Sequence, residues 1–441
     1  LGAESPDLFA NLPEKKSAAI KKADMPFKET RLSKPWVLTL YPTKAFADME
    51  NMTLEEYTEV VMSTTLTNPN KLEEKEQPFI NSQTIEMIGE CGEKNEVIEP
   101  YDRLRCVDLF AGTGAFTMAF QDTGKAKCVF ANDMMPHSKT IYDNNFEHPL
   151  TLGDLNEIPT EVIPTHDILT GGFPCQPFSI AGRREGFQDA RSNVFWKILE
   201  ILRYHTPKVV ILENVKNLLT HDNGNTFKII CNELTSVGYT IKSKVLNTRI
   251  ITDTPQNRER IYIVGFLNPE CANKFTLDFP DVSTREIKDI VFQSGVGIHK
   301  KYYYVRKEKP VTNTDDETSK KRIARWKSGE NITKMILDNV TETNTIYQFR
   351  RVYVRKNCTG VCPTLTANMG GGGHNVPLVK DNIGVRKLVP RECFRLQGFP
   401  DTYSLDGVSD INLYKLSGNA VSLPVVKLIA ERVIEVLQET H

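Results

Sequence analysis

No stretch of this 441-residue chain approaches the run of roughly 18 apolar residues that a bilayer-spanning helix needs. A membrane-embedded role is not expected. The opening Leu1-Gly2-Ala3-Glu4-Ser5-Pro6 also lacks the basic and apolar segments of a secretory signal, so the expected location is intracellular, and cytoplasmic for a prokaryotic source. Paired cysteines are missing too. The nine present are an odd number scattered along the chain, and only Cys358 and Cys362 lie close together. That spacing argues for reduced thiols and, with no second pair, against a zinc site, so no metal is expected. Net charge is almost absent at −1. It conceals an asymmetry: residues 1–100 hold 11 basic and 18 acidic side chains, whereas residues 281–356 hold 17 basic and 10 acidic. The basic part is where a polyanion would be sought, although a solvated basic face has the same composition.

What is present begins with an ordinary balance, 40% hydrophobic and 25% charged, and a length that accommodates two or three domains. Residues 1–100 read as solvated helices around Lys15, Lys16, Lys21 and Lys22 and around Glu73 to Glu76, with nothing visibly catalytic. From Leu104 strand and helix signals alternate, the pattern of a doubly wound parallel α/β sheet with helices on both faces. Arg105 to Phe110 reads as the first strand, and Ala111-Gly112-Thr113-Gly114-Ala115-Phe116 as a glycine-rich turn into a helix. A ligand can lie against such a backbone, and a purely structural turn fits the same residues. The next strand, Cys128 to Ala131, ends in Asn132-Asp133, about 20 residues on, the spacing at which a carboxylate reaches ribose hydroxyls. Met134 is placed either along an adenine ring or in the core. Asp154, in Leu152-Gly153-Asp154-Leu155, is able to accept from an adenine amino group. Together these residues suggest a cofactor that contains adenosine.

The segment Gly171-Gly172-Phe173-Pro174-Cys175-Gln176-Pro177-Phe178-Ser179 follows a short strand signal, His166 to Thr170. Cys175 is therefore expected at a strand's carboxyl end, where open α/β sheets hold their chemistry, with a proline on each side to stiffen it. An isolated cysteine is also compatible with an inert core thiol. Beyond it, Ala181-Gly182-Arg183-Arg184-Glu185-Gly186 is a basic loop able to meet a phosphate backbone, or a solvated one. A helix from Asn193 to Tyr204 leads into the apolar run Lys208 to Leu212, which ends in Glu213-Asn214-Val215. A carboxylate there shares the sheet edge with Cys175, and burial would raise its pKa toward acid chemistry. In Gln256-Asn257-Arg258-Glu259-Arg260, a period of two directs Arg258 and Arg260 to one face, toward a common target or toward neighbouring carboxylates.

Residues 268–385 lose this rhythm and concentrate basic and aromatic residues, which reads as an irregular β domain. Inside it Pro363 to Met369 and the glycines 370 to 373 form either a groove-facing loop or a linker. The apolar stripe Val425, Val426, Leu428, Ile429, Val433, Ile434 and Leu437 is helical and expected to return to the first sheet. The expected division is 1–100, 101–267, 268–385 and 386–441, the second and fourth segments sharing one domain.

In order, Asp108 to Gly114, Pro174-Cys175-Gln176, Glu213-Asn214-Val215, Gln256 to Arg260, Arg391 to Pro400 and Gly418-Asn419-Ala420-Val421 resemble the motifs of the cytosine-5 DNA methyltransferase family, across Leu104 to the C-terminus. Ala115 stands where that family commonly has glycine. Separately, Pro35 to Ala45 with Met52 to Tyr57 resembles an internal segment of thermophilic-type metallo-aminopeptidases, without the metal ligands such enzymes need.

The first resemblance implies a Rossmann-like catalytic domain, a target-recognition domain, S-adenosylmethionine as methyl donor and S-adenosylhomocysteine as product. It implies double-stranded DNA as substrate, a cytosine flipped out of the duplex, and Cys175 bonding to carbon 6 so that carbon 5 can take the methyl group. By the same resemblance Glu213 holds ring nitrogen 3, and Arg258 and Arg260 position the base carbonyl and the catalytic groups. The cofactor positions it implies are Phe110, Ala111, Gly112, Thr113, Gly114, Asp133, Met134, Asp154, Leu155, Pro174, Asn419 and Val421. Ser179, Arg183, Arg184, Thr364, Leu365, Thr366 and Asn368 are the expected DNA contacts. A monomer with a cognate restriction endonuclease, not bound to it, is the expected setting. A transfer-RNA methyltransferase of the same fold and a DNA-binding regulator without catalysis remain open at this point.

Overall fold

Strands β1 (Leu104–Leu109), β2 (Ala126–Asp133), β3 (Leu150–Leu152), β4 (Ile168–Gly171), β5 (Val209–Val215), β6 (Thr240–Asn247), the two-residue β7 (Gln256–Asn257) and β8 (Glu259–Phe266) follow one another along the chain. All but β7 join one seven-stranded sheet in the order β3-β2-β1-β4-β5-β8-β6. The computed structural model describes residues 103–174, 194–310, 317–371 and 375–440, within the unit Ile98–His441. β1 to β5 pair in parallel, as the alternation of strand and helix signals predicts. β8 departs from the expected parallel sheet, because it runs antiparallel to both β5 and β6. Strand order reverses between β1 and β4, which opens a crevice beyond their carboxyl ends.

Helices cover both faces. On one, α1 (Ala115–Asp122) places Phe116 and Phe120 in the same core as Val425, Val426, Ile429 and Val433 from the last helix. On the other, Phe195, Ile198 and Leu202 of α3 (Val194–His205) pack with Ile230 and Leu234 of α4 (Asn225–Ser236). Between them in sequence, α2 (Pro136–Asp143) follows β2. Each such buried side chain contributes about 1.5–3 kcal/mol.

Further along come α5 (Glu317–Asn339), β9 (Tyr347–Phe349), β10 (Val354–Lys356), β11 (Cys362–Pro363), β12 (Val376–Lys380), β13 (Val385–Lys387), α6 (Pro390–Leu396), α7 (Asp410–Asn419) and α8 (Leu423–Glu439). An antiparallel sheet forms in the order β10-β9-β12-β13. Its apolar face carries Tyr347, Phe349, Val376 and Leu378, packed with Ile336 of α5. That 23-residue helix corrects the irregular-β expectation. With Ile336 as its one buried residue it has no apolar stripe for the sequence to display. β11 pairs in parallel with β7, Cys362 beside Gln256 and Pro363 beside Asn257, and so ties this region to the strand that precedes β8.

Arg386 on β13 is fully buried, and its two terminal nitrogens donate to the two oxygens of Glu392 at 2.8 Å each. Its Nε donates to Asp381 at 2.7 Å. Glu392 also accepts the backbone N–H groups of Val389 and Phe292. The charges are thus paired and hydrogen-bonded throughout, the condition under which burial is tolerated.

Candidate active site

Between β1 and α1 the backbone turns through the left-handed region at Phe110 (φ 55°), Gly112 (φ 54°) and Gly114 (φ 69°). At Gly114 a methyl group would sit 2.3 Å from the Phe146 ring, so glycine is required by space as well as by conformation. The turn is held from two sides. Asp133 accepts the Gly112 N–H at 3.0 Å and the Met135 N–H at 2.8 Å, and the buried Tyr403 hydroxyl donates to the Thr113 carbonyl at 2.7 Å. Asp108, wholly buried, accepts the Thr117 N–H and hydroxyl in the first turn of α1, and the Thr170 hydroxyl of β4. Burial pushes its carboxyl up to about 6, against these hydrogen bonds. Asp133 is also raised, chiefly by burial. Met134 beside it is 68% exposed, so the core alternative for this residue is excluded. Asp154 accepts the backbone and side-chain N–H groups of Asn156 and caps a short helical turn. Leu155 packs into the core, leaving only its backbone for a ligand. Ala111 and Thr113 are buried, while Pro174 and Asn419 are exposed.

Glu213 stands one residue past the point where β5 pairs with the end of β4. Its carboxylate and the Arg260 guanidinium form an ion pair at 3.1 Å, with side chains 10% and 13% exposed. Burial raises the Glu213 pKa, and Arg260 and then Arg258 oppose the rise. A methyl group on Gly172 would lie 3.6 Å from a Glu213 oxygen and 3.2 Å from Val421, which brings the segment before Cys175, Glu213 and the Gly418-Asn419-Ala420-Val421 turn to one place. The buried Asn214 side chain donates to the Phe173 carbonyl at 2.9 Å and fastens the segment that precedes Cys175 to β5. The sequence offered one signal for that role, an amide beside Glu213 at the end of an apolar run.

Arg258 requires a correction. Its guanidinium does not accompany Arg260 toward a base carbonyl. It is 2% exposed, and its terminal nitrogens donate to the backbone carbonyls of Leu365, Gly418 and Ala420 at 3.2, 3.2 and 2.6 Å. Burial, then the neighbouring Arg260, lowers its pKa. The period-two argument failed because the strand breaks at this residue, between β7 and β8. Gln256 works beside it, donating to the Leu396 carbonyl and accepting the Leu365 N–H.

The expected groove residues divide. Leu365 is 3% exposed within a core cluster, so its side chain faces inward and not toward a groove, a second correction. Thr364 donates to the Asn257 carbonyl at 2.6 Å, and Asn368 is exposed. The Thr366 hydroxyl is buried without a partner among the described residues. A methyl group on Gly418 would fall 2.3–2.5 Å from backbone atoms of Thr366 and Ala367, and one on Gly370 2.7 Å from the Tyr414 side chain. Gly370 is therefore packed, not part of a linker. Cys175, Ser179, Arg183 and Arg184 lie outside the described residues, as does the aminopeptidase-like segment. Among the described residues no cluster of His, Cys, Asp and Glu is placed to hold a metal ion. No helix among them is long and apolar enough to cross a membrane.

A glycine turn, the carboxylates of Asp133 and Asp154 and the buried Glu213 lie at the switch point of a doubly wound sheet, the arrangement of a transferase that takes a nucleoside cofactor. The profile of C-5 cytosine-specific DNA methylases matches residues 104–435. The Type II methyltransferase M.Bsp6I of Bacillus sp. (strain RFL6) is 44% identical over 331 residues, 75% of this chain and 98% of that protein. M.HhaI of Haemophilus parahaemolyticus is 36% identical over 333 residues, 74% of this chain and 93% of that protein. Among solved structures, Dnmt2 of Spodoptera frugiperda, in a mutant form, superposes with a TM-score of 0.56 at 17% identity, covering 75% of this chain and 99% of that one. That likeness bears on the fold alone. The chain belongs to the C-5 cytosine-specific DNA methylase family. It methylates cytosine in DNA at carbon 5, and its methyl donor is S-adenosylmethionine.

Proposed function

We propose that Cys175, Glu213 and Arg260 carry the chemistry, with Arg258 as a positioning residue. The observation behind this reading is the Glu213–Arg260 pair, set against Gly172 three residues before Cys175. The Cys175 thiolate adds to carbon 6 of the extruded cytosine, which places electron density on carbon 5. Glu213, whose pKa burial raises, donates a proton to ring nitrogen 3 and removes the negative charge that attack would leave there. Arg260 fixes the orientation of that carboxyl. Loss of the carbon-5 proton after methylation returns the bonding electrons to the ring and expels the cysteine thiolate.

S-adenosylmethionine, when bound, supplies the methyl group and leaves as S-adenosylhomocysteine. The residues fit it: Asp133 and the turn from Phe110 to Gly114 face the crevice side of the sheet, and the exposed Met134 offers an apolar surface for an adenine ring. We assign Asp154, the Leu155 backbone, Pro174, Asn419 and Val421 to the rest of that site. Residues 268–385 are assigned to target recognition, 101–267 with 386–441 to catalysis. Thr364, Thr366 and Asn368 are assigned DNA contacts, with Ser179, Arg183 and Arg184 on the phosphate side. The setting proposed is a monomer inside the cell, protecting DNA from a cognate restriction endonuclease that it does not bind.

Methylation of a mixed-sequence plasmid read by bisulfite sequencing, with and without S-adenosylmethionine, tests the reading. A cofactor-dependent mark at one sequence, lost in Glu213→Gln and Cys175→Ser, is the expected result. Full activity in either variant would refute the assignment.

A further inference from the structure

Tyr403 stands 290 residues beyond the glycine-rich turn and reaches it with its hydroxyl, which donates to the Thr113 carbonyl at 2.7 Å. Both residues are 2% exposed. The segment that carries Tyr403, residues 400–407, is itself fixed from two sides. Arg395 pairs with Asp401 through two contacts of 2.7 Å, and Arg391 donates to the Tyr403 carbonyl at 2.7 Å. Further on, Ser404 and Asn145 exchange hydrogen bonds of 2.7 and 3.0 Å, and Asn144 donates to the Asp406 carbonyl at 2.9 Å. Asn144 and Asn145 follow α2 directly, so the segment is seated against the end of the helix that comes after Asp133. The Tyr403 ring packs against Phe394 and Phe399, with centroids 5.7 and 4.6 Å away. Its hydroxyl is therefore a donor held in place on every side.

The turn needs such a donor. Phe110 holds φ 55° although it carries a side chain, and Gly112 and Gly114 hold 54° and 69°. A residue other than glycine is strained in the left-handed region, and it stays there only where its surroundings over-determine it. Asp133 grips one peptide of the turn through the Gly112 N–H at 3.0 Å. The peptide between Thr113 and Gly114 is gripped twice, its carbonyl by Tyr403 and its N–H by the Ala111 carbonyl at 2.7 Å. We infer that Tyr403 is a positioning residue for the methyl donor: its hydroxyl keeps the turn in its binding shape before S-adenosylmethionine arrives, so that binding does not have to order it. A site held in advance spares the ligand the cost of fixing it. Loss of the hydroxyl moves that cost into the affinity. Once the donor is bound, the reacting groups stand where they stood before, and turnover is unchanged.

This inference rests on the assignment of residues 110–114 to the cofactor, and its test separates the two. Tyr403→Phe removes the oxygen and keeps the ring. Tyr239→Phe is the matched control, because Tyr239 is also buried and its hydroxyl also donates to a backbone carbonyl at 2.7 Å, that of Pro207, in the core on the sheet's other face. Both variants are expected to lose a similar amount of stability in urea titrations. Calorimetric titration with S-adenosylhomocysteine should show binding about 3- to 10-fold weaker for Tyr403→Phe, the span of one hydrogen bond, and unchanged for Tyr239→Phe. KM for S-adenosylmethionine should rise by the same factor in Tyr403→Phe, with kcat and KM for DNA within about twofold of the parent. In the cofactor-free proteins, amide hydrogen exchange of the peptide spanning residues 110–114 should quicken in Tyr403→Phe and not in Tyr239→Phe. Asp133→Ala, which removes the other grip, tests the assignment itself: unchanged S-adenosylhomocysteine affinity there would overturn the placement of the cofactor at this turn. Where Asp133→Ala binds more weakly, unchanged affinity or unchanged exchange in Tyr403→Phe, a fall in kcat without a rise in KM, or an equal loss of affinity in Tyr239→Phe would overturn this inference alone.

Discussion

Replacing Gly418 by alanine probes how the loop at residues 364–370 and the turn at residues 418–421 are held together. The added methyl carbon would lie 2.3 Å from the Thr366 carbonyl carbon, 2.4 Å from the Ala367 nitrogen and 2.5 Å from the Thr366 oxygen. Ordinary contacts to carbon begin near 3.4 Å, so one of the two backbones must retreat by about 1 Å. Neither is a flexible side-chain tip, and both are tied to Arg258 through the carbonyls of Leu365, Gly418 and Ala420. Overpacking of this kind costs about 1–3 kcal/mol in stability, which a protein of this size survives. The larger effect falls on catalysis. A displacement of about 1 Å beside the reacting groups lowers turnover roughly 100-fold. Steady-state methylation of a cognate duplex, with thermal melting as a control, measures both. A folded Gly418→Ala protein with kcat within threefold of the parent would refute the reasoning that these two segments share one rigid contact.

Other consequences follow from buried charge. The Asp108 carboxyl, raised from 3.8 to about 6, binds its proton more tightly in the folded than in the unfolded chain. Its contribution to stability is therefore present below pH 4 and lost as pH rises through 6, amounting to about 3 kcal/mol. Urea titrations from pH 4.5 to 7.5 should show the parent losing ground to Asp108→Asn across that window, and parallel profiles would contradict the shift. Arg386→Met leaves Asp381 and Glu392 charged and unpaired in the interior, and about 3–5 kcal/mol of stability should disappear in the same assay. Glu213→Gln should lower kcat by about 100- to 10,000-fold while DNA affinity stays within a few-fold, and a loss confined to affinity would contradict the acid role.

Much of the site was legible because the sheet edge imposes its own spacing. Asp133 at the end of β2 and Glu213 near the end of β5 follow from apolar runs that end in a carboxylate, and the α8 stripe follows from helical period. Where the chain serves tertiary contacts, pattern misled. Arg258 sits at a strand break, so alternation did not apply, and its partners are backbone carbonyls from positions 365, 418 and 420, which no local spacing reveals. Leu365 belongs to a loop by composition and to the core by packing. α5 was invisible for the opposite reason, since a helix with one buried residue writes no periodic stripe into its sequence.

The most direct test of the account is chemical. A duplex carrying 5-fluorocytosine at the target position blocks release after methyl transfer, because fluorine replaces the proton that must leave carbon 5. Incubated with S-adenosylmethionine and analysed by mass spectrometry of proteolytic fragments, the parent protein should yield a covalent DNA adduct on the peptide containing Cys175, and Cys175→Ser should yield none. An adduct on another residue, or methylation of ordinary cytosine by the serine variant at the parent rate, would contradict the central claim.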